Sequence, residues 1–157
     1  MKYFVVVVLL FFSACSIKNY EQTATKLVTI KTKKFRFSDL GYLRHSDDAL
    51  QLELFMAGQV IKRIEINHLV CVSDEGCIDK KTFNAECLSA NYPESILQNI
   101  LLGKEIFSGR NLQKTSFGFI QNILTQDVAI DYRVSPKEIY FKDRKNHILF
   151  KIKDINE

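Results

Sequence analysis

The sequence predicts an α+β domain in which helices pack against one face of an antiparallel sheet, and three observations predict it. Leu50, Leu52, Leu54 and Met56 alternate with Gln51, Glu53 and Phe55, as Val128, Ile130, Tyr132 and Val134 alternate with their neighbours near the other end. Between these period-two stretches, Ile96, Leu97, Ile100 and Leu101 recur at helical spacing. The order is therefore strands, helices, strands, which excludes the alternating βαβ plan of a parallel sheet.

Taken in order, Ser16 to about Lys31 is polar and reads as a tether, with a strand start at Leu27-Val28-Thr29-Ile30. Phe35-Arg36-Phe37 opens a strand through Gly41-Tyr42-Leu43, and His45-Ser46-Asp47-Asp48 turns the chain into Leu50–Met56. Gly58-Gln59 breaks the pattern, after which Val60, Ile64, Ile66, Val70 and Val72 share one parity and complete a three-stranded meander. Asp79 is positioned to cap a short helix to Leu88. Pro93 fits a first helical position and Glu94 the positive helix start, and Gly103 fits the residue after a helix end. Phe117-Gly118-Phe119-Ile120 reads as strand on its aromatics. Val128–Val134, Ile139–Phe141 and Ile148–Ile152 follow, punctuated by Ser135-Pro136 and by Lys142–Asn146. Two prolines, six glycines and no repeat give no second domain boundary.

The first residues carry a different kind of information. Lys2 precedes the apolar run Tyr3–Phe12, and Ser13-Ala14-Cys15 closes it, the layout of a bacterial secretory signal. Phe12-Ser13-Ala14-Cys15 resembles the lipobox of bacterial lipoproteins, with Phe12 where Leu is usual. That resemblance implies cleavage after Ala14 and a diacylglycerol and a further acyl group such as palmitate on Cys15, and two or three acyl chains anchor a protein stably where one does not. Ser16 rather than Asp after the cysteine implies the outer membrane, with the domain facing the periplasm. The expected organisation is a signal peptide at 1–14, lipidated Cys15 and tether at 15–31, and one domain at 32–157.

Charge and motif spacing exclude several functions. A net charge of +4 is small and scattered for nucleic-acid binding. Lys26, Lys31, Lys33 and Lys34 read as solubilising charge near the anchor. His45, His68 and His147 form no metal spacing, and no nucleophile elbow or phosphate-cradling glycine loop is present. Asp47-Asp48 and Asp74-Glu75 read as solvated turn charge. No cofactor, metal or catalytic residue is expected; Cys87 with His68 is the one nucleophile–base pairing to weigh.

With Cys15 taken by lipid, three thiols remain for an oxidising compartment. Cys71 and Cys77 stand on the arms of a Val72–Gly76 turn and are expected to form a disulfide, leaving Cys87 as a buried apolar side chain on the same helix face as Phe83. Their spacing matches neither a zinc site nor a CxxC redox motif.

Three segments resemble the LolB family of outer-membrane lipoprotein receptors: the meander Phe37–Ile66 with its apolar break Phe55-Met56-Ala57-Gly58, the stretch Tyr92-Pro93 to Leu102-Gly103, and the tail Asp127–Asp154. The resemblance implies a curved, unclosed antiparallel half-barrel with two or three helices covering its mouth. It implies acyl chains in that half-barrel, transfer of lipoprotein cargo from a LolA-like carrier, and Phe55 and Met56 as an apolar loop addressing the membrane. Leu50, Leu52, Leu54, Ile64, Ile66, Ile96, Ile100, Ile130 and Phe150 are the cavity candidates. The same patterning serves a solid core, and Phe55 and Met56 equally suit strand packing at a bend; a filled domain docking a protein partner is the alternative.

Overall fold

The computed structural model describes residues 22–155. Eleven strands form one open antiparallel sheet: β1 (Gln22–Lys31), β2 (Arg36–His45), β3 (Leu50–Met56), β4 (Gln59–Ile66), β5 (Leu69–Val72), β6 (Gly76–Asp79), β7 (Leu112–Thr115), β8 (Gly118–Leu124), β9 (Ala129–Val134), β10 (Glu138–Asp143) and β11 (Ile148–Asp154). In space the order is β6-β5-β4-β3-β2-β1-β11-β10-β9-β8-β7. Two meanders are thus joined side by side through β1 and β11, the single pairing between strands distant in sequence. Edges β6 and β7 are linked by the segment that carries α1 (Lys80–Cys87) and α2 (Ile96–Leu102).

Register gathers the apolar side chains on one face, since directly opposed antiparallel residues point the same way. One row runs Phe37, Ile30, Phe150, Phe141, Tyr132 across five strands. A second runs Leu43, Leu52, Ile64, Val72. All are buried, and Phe83 of α1 with Ile96, Leu97, Ile100 and Leu101 of α2 joins the same core. On the opposite face Glu53 lies across from Tyr42 and Arg63. Its carboxylate pairs with Arg44 at 3.0 Å and Arg63 at 2.8 Å, which compensates the burial of a charge only 7% exposed.

The expected α+β half-barrel with two or three helices across its mouth is corrected by this architecture. Strands dominate the described chain, and the helices are two short ones of eight and seven residues in a single connection. Strand extends into stretches read as tether or turn: Gln22–Lys31 pairs along its length with β2, and from Lys26 also with β11. Such a strand needs apolar residues only where it is covered, so the polar half of β1 hides its nature. The strand expected from Val60 to Val72 is two strands, because Asn67 N–H donates to the Leu69 carbonyl at 2.9 Å and its Oδ1 accepts from Leu69 N–H at 2.8 Å. Phe117 sits in the β7–β8 turn, 77% exposed, rather than in a strand.

Asp79 caps α1 as expected, accepting from Thr82 N–H at 2.9 Å. Pro93 does not begin α2; its carbonyl accepts from Ile96 N–H at 3.0 Å and from Asn84 Nδ2 at 2.9 Å, so it closes a turn that ties the two helices together. Gly103 ends α2 with φ +63°.

Candidate functional site

At one end of the sheet three hairpin turns lie side by side. Lys31 and Arg36 flank the β1–β2 turn, Met56 and Gln59 the β3–β4 turn, and Val72 and Gly76 the β5–β6 turn. Between this end and α1 a half-open cavity of about 420 Å³ remains, within the range of about 300–1,000 Å³ usual for small-molecule sites. Its walls are apolar: Ile30, Ile64, Val72, Phe83, Leu97 and Phe150 lie deepest in the fold. Its rim is not, for Thr32, Lys34, Lys62 and Glu75 surround the opening.

Local chemistry places each rim group. Thr32 shapes the β1–β2 turn: its N–H donates to the Phe35 carbonyl at 2.8 Å, and its Oγ1 accepts from Phe35 N–H at 3.1 Å. That turn sets Phe35 at the wall, stacked on Phe37 with ring centroids 6.2 Å apart. Lys62 occupies the apolar parity of β4, two residues before Ile64, where the core ends. Its ammonium lies 5.4 Å from the centre of the Phe35 ring and is ion-paired with Glu75. Lys34 pairs with Glu86 of α1 at 3.0 Å, which favours its charged form and raises its pKa. Cys87 lines the wall as a free thiol whose pKa is raised, because burial disfavours the thiolate more than the nearby Lys34 charge favours it.

Among the expected cavity residues, Ile64 and Phe150 line this space. Leu50, Leu52, Leu54, Ile66, Ile96, Ile100 and Ile130 are buried in the packed core instead. Alternation reports which face is covered, not whether the cover touches it, so it cannot separate the two groups. Phe35, Phe83, Leu88 and Leu97 went unremarked as wall residues. One signal was present: Lys62 falls on the same parity as Ile64 and Ile66, and a cation in an apolar row marks where the row opens to water.

Phe55 and Met56 end β3 beside the mouth. Phe55 packs on Tyr42 with centroids 4.9 Å apart, while Met56 is 52% exposed. Cys71 and Cys77 face each other across β5 and β6 and are bonded, with the intervening Val72 and Glu75 lining the cavity. Cys15 and the signal sequence lie outside the described residues. His68, in the β4–β5 turn, is not among the lining residues, so Cys87 and His68 are not brought together in the cavity. Among the described residues no three His, Cys, Asp or Glu side chains converge as metal ligands, and no helix is long and apolar enough to cross a membrane.

No model of a known protein family matches this chain, and no curated protein matches it.

Proposed function

We propose that this chain is an outer-membrane lipoprotein, anchored through Cys15, whose periplasmic domain binds an acyl chain and serves LolB-like transfer of lipoproteins. The observation that carries the reading is the cavity beside α1, with apolar walls and a polar rim. At about 30 Å³ per water-sized group, it has room for on the order of a dozen methylenes, hence one acyl chain at a time. Each methylene buried there contributes about 0.8 kcal/mol before ordering costs. A LolA-like carrier and lipoprotein cargo are the partners this reading requires, and Met56 beside the mouth is the apolar contact it offers to the membrane.

A second reading, an anchored module that docks a protein partner, is favoured by one observation. Leu27 and Leu40 stand opposite each other on the face away from the core and stay more than 40% exposed.

Both readings are tested on residues 16–157, which keep all eleven strands. Displacement of a fluorescent fatty acid, together with protection of the Cys87 thiol from a maleimide by added fatty acid, is the expected result. Free Cys87 reactivity at saturating fatty acid, with no displacement, defeats the carrier reading and leaves the docking module. Incorporation of labelled palmitate into the whole chain, lost in Cys15→Ala, tests the anchor.

A further inference from the structure

The rim differs from the wall in a specific way. Two ammonium groups, Lys34 and Lys62, stand at the opening of an apolar-walled cavity and approach it from the β1–β2 turn and from β4. Each is neutralised by a carboxylate on the element facing it, Glu86 on α1 and Glu75 in the β5–β6 turn. The two pairs are not equivalent. Lys62 is 23% exposed, held over the Phe35 ring, while its partner Glu75 is 59% exposed on a turn. Lys34 and Glu86 are both more than half exposed. An exposed carboxylate facing a half-buried ammonium is easily exchanged for another anion, because the carboxylate regains water on leaving.

We propose that the cavity selects anionic single-chain amphiphiles: the acyl chain fills the apolar interior and the anionic head, carboxylate or phosphate, replaces Glu75 on Lys62, with Lys34 as a weaker second contact. This rests on the acyl-binding reading above and adds head-group selection to it. A neutral head of the same chain length gains the same apolar burial but leaves the Lys62–Glu75 pair in place.

The test uses residues 16–157 and four probes: dodecanoate, dodecyl phosphate, dodecanol and inorganic phosphate. Both anionic amphiphiles are expected to bind about tenfold more tightly than dodecanol, the worth of one charge-assisted contact. Inorganic phosphate alone is expected not to bind. Lys62→Met removes most of that preference and Lys34→Met a smaller part, while dodecanol still binds both variants, which shows the cavity intact. Glu75→Gln, which deletes the competing carboxylate, tightens anionic binding by about threefold; a gain of this kind does not arise from misfolding. Dodecanol binding as well as dodecanoate, or a preference that survives Lys62→Met, overturns head-group selection while sparing the cavity reading. Binding of inorganic phosphate alone with equal strength overturns it in favour of a simple anion site. Failure of all three amphiphiles overturns both readings.

Discussion

Tyr92, in the connection between the two helices, donates its hydroxyl to Asp143 Oδ2 at the end of β10, at 2.7 Å and across 51 positions of sequence. Both residues are buried, and the bond fastens the helical segment to the C-terminal meander. Asp143 also accepts from Ala129 N–H at 3.1 Å, Lys145 N–H at 3.0 Å and Asn146 Nδ2 at 2.7 Å, so one carboxylate organises the β8–β9 and β10–β11 turns together. Burial raises the Tyr92 pKa far above the usual phenol range, with the hydrogen bond to Asp143 adding to it, so the hydroxyl remains a donor at every physiological pH.

Tyr92→Phe keeps the ring contacts with Phe107 and Phe141 and removes only the bond. A loss of about 1–3 kcal/mol is expected, since the acceptor is ionised and shielded from water. Urea unfolding measures it; an unchanged midpoint would show that the fastening is energetically idle.

Acid should destabilise the fold through the same carboxylate. Burial works to raise the Asp143 pKa, but the hydrogen bonds from Asn146, Ala129 and Tyr92 together outweigh it, and the net shift is downward. A folded pKa below the unfolded one contributes stability above about pH 4 that is lost as pH falls through the folded value. Stability is therefore expected to be flat in this contribution from pH 5 to 8 and to decline below about 4. Asp143→Asn should flatten that decline while lowering stability at pH 7, and equal acid slopes in the two proteins would refute the assignment.

Gly118 begins β8 at φ +148°, and a Cβ there would lie 1.9 Å from the Val134 carbonyl oxygen. The obstacle is backbone, so no rotamer relieves it. Gly118→Ala is expected to cost about 2–4 kcal/mol and to part the β8–β9 end near Val134. Hydrogen exchange of the β8 amides measures both; native-like protection in the variant would disprove the close approach.

Cys71 and Cys77 close a short loop on an edge hairpin. Removing so short a loop restores about 2 kcal/mol of chain entropy to the unfolded state. Cys71→Ala with Cys77→Ala should therefore leave a folded sheet with a lower thermal midpoint, and weaken acyl binding because Val72 of the wall and Glu75 of the rim lie between them. Binding that survives unchanged would show that the β5–β6 turn holds its shape without the bond.

Strand positions were legible where apolar and polar side chains alternate. Leu50 to Leu54, Val128 to Val134 and Ile148 to Ile152 announce themselves by parity, and Asp79 and Gly103 announce helix ends through capping chemistry. Gln22 to Ala24 and Leu112 to Thr115 did not, because a strand that is uncovered carries no apolar signature and is held by its ladder alone. Pro93 misled for a related reason: its fixed φ suits a helix start and a turn equally, and the partner that decided was Asn84, nine residues away.

The sequence by itself determined the alternating strands of an antiparallel sheet, helical residues between its two halves, and the Cys71–Cys77 hairpin. These are local facts, written in parity, turn residues and spacing. Only the tertiary structure decided that β1 lies beside β11, that the helices are minor, and that Ile64 and Phe150 border a cavity while Leu52 and Ile100 fill a core. Those outcomes depend on how closely distant segments approach, and a hydrophobic pattern records the preference to be buried without recording what does the burying.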